Sequence, residues 1–241
     1  GANAYSVSIN GADTVVTDTR ISTLPEGSNR VKIKPLVSGD NTFYSNYSQE
    51  VNVYIYSAPT NVKYDGKTLT WTGNSSKYEV TVDGISKEVD GNSYIYDSQN
   101  KDFTVEVKAL GNHTATYDSK SVKEEYHYLE PVKQIFVEDG IVKWNSIANA
   151  EGYVLMIGGV EQRTPVTAAQ YAELASGKSQ DIAVKPYNNS GNYFSSWSAE
   201  KTVFILDTPI VAWNNDLELD GDANNNLTWN AVNAASGYTA R

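Results

Sequence analysis

A chain of 241 residues can hold one large domain or two to three small ones, and with 40% hydrophobic residues it has the material for real cores. Its 19 basic and 29 acidic residues give a net charge of -10, which argues against nucleic acid, bound mainly through neutralised phosphates, and against an anionic membrane surface. Without cysteine there is no disulfide framework or thiolate metal site, and no apolar run approaches the ~20 residues that span a bilayer. In chain order, Tyr5 opens a strand in AYSVSING, VKIKPLV at 31–37 alternates as a strand with one buried face, and VNVYIYS at 51–57 follows a Ser-rich turn. Pro59 starts a new stretch: Leu69-Thr70-Trp71, then Tyr78 opening KYEVTVDG, FTVEVKAL at 103–110 and VKEEYHYL at 122–129. From Pro131 the order returns as Val142-Lys143-Trp144, Tyr153 in GYVLMIGG, IAVKPYN at 182–188 and TVFILD at 202–207. From Pro209 it begins again, through Leu227-Thr228-Trp229 to Tyr238.

Two independent markers share this spacing. Tyr5, Tyr78, Tyr153 and Tyr238 stand 73, 75 and 85 residues apart, and Trp71, Trp144 and Trp229 stand 73 and 85 apart. The chain is an internal repeat. Its 17 Tyr and 5 Trp against one Met, with Val, Ile and Thr between Asn, Gly and Ser clusters, suit pleated strands and tight turns. No helix competes well: the best candidate, Ala168–Ala175, could form one or two turns but has no sustained apolar stripe. Short strands with turn signals between them predict a sandwich.

The strand Trp (Trp71, Trp144, Trp229), the Tyr opening the next strand (Tyr5, Tyr78, Tyr153, Tyr238) and the phrase WNAVNAASGY at 229–238 resemble fibronectin type III repeats, particularly the short bacterial version. The resemblance covers the whole chain and implies an all-β fold: tandem immunoglobulin-like sandwiches in an extended rod, secreted or on a cell surface. It divides the chain into residues 1–57, a partial sandwich with strands C to G; two complete modules, 58–130 and 131–206; and 207–241, a partial sandwich with strands A to C. The family usually opens strand F with a Tyr whose hydroxyl ties the preceding corner. Here the matching positions are Asn29, Phe103 and Gln180, with Leu24 and Leu174 kept in the turn, so a weakened corner is expected.

A half-sandwich leaves an apolar face and strand edges uncovered. Three explanations stand side by side: a window cut from a longer array, a poorly folded end fragment, and head-to-tail completion in which residues 207–241 of one chain supply the strands missing from residues 1–57 of the next. Termination at Arg241 is compatible with a trypsin-like cleavage, and any signal peptide is expected outside this chain, whose first residues lack a basic-then-apolar leader. Short proline-bearing junctions restrict hinge freedom.

Signals for chemistry are sparse. His113 sits in a polar loop and His127 in a last strand, and both read as surface or rim residues. Neighbouring Glu124 and Glu125 point to opposite strand faces. Asp216, Glu218, Asp220 and Asp222 alternate along one side of an extended segment, but the run matches no calcium loop and reads as solvated. No metal site, cofactor or catalytic residue is expected. Aromatics gather in the loop before each last strand: Phe43, Tyr44 and Tyr47; Tyr117; Tyr193, Phe194 and Trp197. They are the candidate partner-binding residues, for stacking on a surface glycan or anchoring a protein, against the alternative that one ring per loop packs at a module junction. No Arg-Gly-Asp occurs, and matches such as Asn74-Ser75-Ser76 are expected by chance. The leading expectation is a non-catalytic, adhesive or spacer array of a bacterial surface, with protein partners that include self-association into a filament. The alternative is an accessory glycan-binding or spacer region of a large secreted carbohydrate-active enzyme. No nucleic acid and no membrane insertion are expected.

Overall fold

A computed structural model of the chain describes residues 2–21, 23–37, 45–162, 168–217 and 223–239. Among them every regular element is a strand, and no helix is long and apolar enough to cross a membrane. The chain is all-β. It divides into two compact units, residues 1–127 and 128–241.

In the first unit, β1 (Ala4–Ile9), β2 (Ala12–Val16), β3 (Gly27–Leu36) and β4 (Val51–Ile55) form an antiparallel array in the order β4-β3-β1-β2. The next eight strands are β5 (Thr60–Tyr64), β6 (Thr68–Thr72), β7 (Lys77–Val82), β8 (Ile85–Asp90), β9 (Ser93–Ile95), β10 (Phe103–Ala109), β11 (Thr116–Tyr117) and β12 (Val122–Leu129). They give a three-stranded sheet β5-β6-β9 and a four-stranded run β12-β10-β7-β8, while β11 pairs with β4. The second unit contains β13 (Ile135–Glu138), β14 (Ile141–Trp144), β15 (Gly152–Ile157), β16 (Val160–Glu161), β17 (Gln170–Tyr171), β18 (Ser179–Tyr187), β19 (Tyr193–Ser195) and β20 (Lys201–Phe204). Its sheets, β13-β14-β17 and β16-β15-β18-β20, repeat the three-plus-four plan. A hairpin of β21 (Val211–Leu217) and β22 (Ala223–Trp229) follows.

Turn chemistry sets the connections. Asn10-Gly11, Asp83-Gly84 and Gly158-Gly159 take positive φ at both residues (54° and 90°, 46° and 83°, 58° and 78°), the two-residue hairpin geometry that follows the right-handed twist of strands. They hold β1, β7 and β15 against β2, β8 and β16. Register then repeats too: Val7 faces Ile33, Val80 faces Val107 and Leu155 faces Val184.

Each sandwich is closed by its Trp and Tyr, which come from opposite sheets. The rings of Trp71 on β6 and Tyr78 on β7 lie 5.3 Å apart at 66°, and those of Trp144 on β14 and Tyr153 on β15 lie 5.2 Å apart at 74°. Edge-on packing of this kind adds about 0.5–1.5 kcal/mol beyond the buried area. The Tyr78 hydroxyl accepts the Ser75 N–H at 3.1 Å and the Tyr153 hydroxyl accepts the Ile147 N–H at 2.8 Å, so the same ring also pins the turn after its Trp. Trp144 shares its core with Val142, Leu155, Ile182, Val184 and Val203, all in the second unit. Trp71 belongs to the first. The two tryptophans nucleate separate interiors.

The weak helical candidate and the corner before strand F both resolve into specific hydrogen bonds. The Ala168–Ala175 segment makes no helix: Gln170 and Tyr171 form β17 against β14, and the Trp144 N–H donates to the Ala169 carbonyl at 3.1 Å. A stretch that short cannot offset the cost of helix nucleation, whereas the neighbouring strand offers hydrogen bonds at once. Nor is the corner before strand F untied. The Asn29 amide, fully buried, donates to the carbonyls of Pro25 (2.7 Å) and Gly27 (3.0 Å), and the Gln180 amide donates to the Ala175 carbonyl at 2.7 Å. Phe103 has no donor to offer. There the Tyr64 hydroxyl, arriving from β5, donates to the Tyr96 carbonyl at 3.0 Å while its ring packs edge-on against Phe103 at 5.0 Å. The corner carbonyl accepts from whichever side chain brings a donor to it.

Candidate functional site

The loop before each last strand is shaped by a serine. The Ser48 N–H donates to the Ile33 carbonyl (2.8 Å) while the Ile33 N–H donates to Ser48 Oγ (3.1 Å). Ser119 makes the same double tie with Ala109 (3.0 and 2.9 Å) and Ser198 with Val184 (2.9 and 3.0 Å). Each serine stands three residues before a last strand, at Val51, Val122 or Lys201. The hydroxyl extends the ladder where the backbone has bent away. In the sequence this is visible only as a Ser-rich turn, because a hydroxyl acting as a ladder acceptor has no signature of its own.

The candidate aromatics sit just ahead of these serines, in three separate loops. Phe43 and Tyr44 lie outside the described residues. Tyr47 donates its hydroxyl to Asp13 at 2.6 Å and lies 3.0 Å from the Ser6 hydroxyl. The ammonium groups of Lys32 and Lys34 stand 4.8 and 5.0 Å from its ring centre. The Tyr47 hydrogen bond, a second from Ser8 and the two lysines hold the Asp13 carboxyl below the usual carboxylate range. Phe194 is buried, with its ring 5.4 Å from that of Tyr128. Tyr193 and Trp197 are half-buried, and Lys185 stands 5.9 Å from the Trp197 ring. These rings are largely committed to neighbours in the same fold.

Tyr117 belongs to a different arrangement. Its ring stacks on His113 at 6.1 Å and 7°, while its backbone, as part of β11, pairs in parallel with β4. The Tyr54 N–H donates to the Ala115 carbonyl at 2.8 Å and the Tyr56 N–H to the Tyr117 carbonyl at 3.1 Å. Asn74, in the turn after Trp71, donates to the Tyr54 hydroxyl at 3.0 Å. Side-chain hydrogen bonds tie the loop to itself. Asn112 Oδ1 accepts the N–H groups of Thr114, Ala115 and Thr116 at 3.0, 3.0 and 3.1 Å. Asp118 accepts the Gly111 N–H at 2.8 Å and a hydrogen bond from His113 at 2.8 Å. A side chain at position 111 would meet the Thr116 carbonyl. Here a loop of one repeat adds a strand to the sheet of the repeat before it, a joint of main-chain hydrogen bonds.

Among the described residues, two apolar surfaces are partly exposed. On the array β4-β3-β1-β2, Ile33 is 38% exposed, although its register counterparts Val107 and Val184 are at 0%. Beside it a cavity of about 120 Å³ opens between Tyr5, Val7, Val16, Ile21 and Ile33, with Asp18 and Thr19 also lining it. On the hairpin, Trp229 is 43% exposed, against 5% for Trp71 and 3% for Trp144.

Remaining candidates for chemistry stand apart. His127 pairs with Asp102 at 3.0 Å, and Glu124 and Glu125 alternate along β12. Glu218, Asp220 and Asp222 lie outside the described residues, as does the side chain of Asp216. Among the described residues no three His, Asp or Glu side chains gather as a metal site.

No family model matches the chain, and no curated protein does. Among solved structures it is similar to the FN1–FN3 domains of chicken CNTN1, at 16% identity and a TM-score of 0.36, over 83% of this chain and 90% of that one. It is also similar to the central fibronectin-III array of RIM-binding protein, at 14% identity and a TM-score of 0.24, over 84% and 87%.

Proposed function

We propose that the chain is a non-catalytic structural array, a spacer built of fibronectin type III-like modules in a secreted or cell-surface protein. The joint at β4 and β11 carries this reading. The loop that best suits recognition is spent there on a main-chain connection to the preceding sheet, and its Tyr117 ring is stacked on His113. Tyr47, Trp197 and Phe194 are likewise held, by an aspartate, a lysine and a packed ring respectively. Repetition of one core device supports the same role, since a spacer needs modules that stand on their own hydrophobic interiors. The resemblance of the repeat to bacterial extracellular modules supports a place outside the cell.

Pulling the tethered chain by its ends tests the proposal. Separate unfolding steps are expected, the one for residues 58–130 releasing roughly 250 Å of chain. Trp71→Ala should lower the force of that step and leave the step for residues 131–206 in place. A single all-or-none event, or a Trp71→Ala effect on both steps, would refute it.

A further inference from the structure

We propose that the loop at 111–118 is a clasp that fixes the angle between the first repeat and the module that follows it, both within the compact unit 1–127. The proposal rests on the reading of the chain as a spacer and names the device that would stiffen it. The covalent connection is the first tie: β4 ends at Ile55, β5 begins at Thr60, and Pro59 between them is fully buried. One connection of that kind keeps two bodies together and still lets them bend about it. β11 supplies a second tie. On the edge of β4 away from β3, the N–H groups of Tyr54 and Tyr56 donate to the carbonyls of Ala115 and Tyr117. Asn74, from a different turn of the same module, holds the Tyr54 hydroxyl. A hinge motion about the connection has to break one of these ties.

The loop is shaped to present those carbonyls. His113 holds a positive φ of 56°, a conformation disfavoured by a β-carbon and kept only where neighbours enforce it. Here they do. The His113 N–H donates to the Thr116 carbonyl at 2.9 Å, its ring lies flat on Tyr117, and its imidazole pairs with Asp118. Asp118 in turn stands 3.7 Å from the Lys108 ammonium, which ties the loop back to β10. Asn112 Oδ1 gathers the N–H groups of residues 114, 115 and 116 on one side of the loop. The carbonyls of Ala115 and Tyr117 are left for β4. Closing a connection between two antiparallel strands needs none of this. Strain held by so many local bonds is explained by the strand that the loop delivers to its neighbour.

The chain has no cysteine, so Arg30→Cys on β3 and Glu88→Cys on β8, both at exposed positions, take one spin label each in the full chain. The distance between the labels, read by pulsed electron paramagnetic resonance, should form one narrow distribution. Asn112→Ala, which removes the acceptor that orders the loop, should widen it at least about twofold. Asn74→Ala, which loses only the tie to the Tyr54 hydroxyl, should widen it less; its turn is exposed, so it still reads the joint if Asn112→Ala unfolds the module. Tyr117→Val keeps a strand-forming residue in β11 without the ring and should leave the distribution narrow. Three results would overturn the clasp: a broad distribution without any loop substitution, a width unmoved by both Asn112→Ala and Asn74→Ala, or broadening by Tyr117→Val as great as by Asn112→Ala, which would assign the joint to ring packing. The separate unfolding steps under force depend on the cores alone, so the spacer reading survives a failed clasp and fails only in the pulling experiment.

Discussion

Tyr126 carries a buried hydroxyl that has no hydrogen-bond partner among the described residues. Its residue is only 1% exposed, and its ring stacks on Phe103 at 5.2 Å and meets Tyr64 at 5.8 Å. Burial, with a smaller push from the Glu124 charge, raises its pKa to about 12. Leaving a hydroxyl unsatisfied costs about 1–3 kcal/mol, so Tyr126→Phe, which keeps the ring and removes the oxygen, should be neutral or stabilise the first unit by about 1 kcal/mol at pH 7. Alkaline pH sharpens the test. Because the folded pKa lies above the unfolded value near 10, the residue's contribution is whole below pH 10 and is lost as pH rises through 12. At pH 11 the unfolded chain ionises this group while the folded chain does not, which costs the wild type roughly 1.4 kcal/mol relative to pH 9. Urea melts of wild type and Tyr126→Phe at pH 7, 9 and 11, followed by tryptophan fluorescence, should show the stability gap widening in favour of Phe by that amount. A gap independent of pH, or a Phe variant destabilised by more than about 1 kcal/mol, would show that the hydroxyl is satisfied in the fold.

Trp71→Ala should destabilise the first unit by about 3–5 kcal/mol and leave the transition of the Trp144 core unmoved in calorimetry. Asn112→Ala removes one acceptor shared by three backbone N–H groups, so the β11 loop should loosen and the amides of Tyr54 and Tyr56 should exchange with solvent at least about tenfold faster, with β7 and β10 protected as before. Asn29→Ala strands the Pro25 and Gly27 carbonyls and the Asn10 amide and should cost about 1–3 kcal/mol, read as a shift in urea midpoint; Asn29→Tyr, which restores the family's corner donor, should recover part of it.

The architecture was legible because its strongest determinants are local or periodic. The Trp and Tyr markers recur at a spacing that no single module would produce, and Asn, Gly and Ser clusters separate the strands. What escaped was chemistry that depends on a partner far along the chain. Asn29, Phe103 and Gln180 look like a lost tyrosine when only residue identity is compared, yet the carbonyl they face accepts an amide as readily as a phenol, and at Phe103 the donor arrives from Tyr64 on another strand. The loop aromatics read as available rings because nothing in their order along the chain shows that Lys32 and Lys34 cross over Tyr47, or that Tyr128 meets Phe194.

Ile33 marks the boundary most sharply. The alternation of VKIKPLV marks it for the same buried face as Val107 and Val184, and the backbone puts it in the same register, opposite the same kind of residue. Its exposure differs from theirs all the same. Strand alternation states which face needs cover, through a side-chain period of two that any pleated strand obeys. It is silent about what provides the cover, which is decided by the second sheet. In the complete modules that sheet comes from the residues just upstream, and its Trp sits on the Tyr of the next strand. At Ile33 that cover is incomplete, 38% of the residue being exposed, so the strand specifies an apolar face without specifying what packs on it.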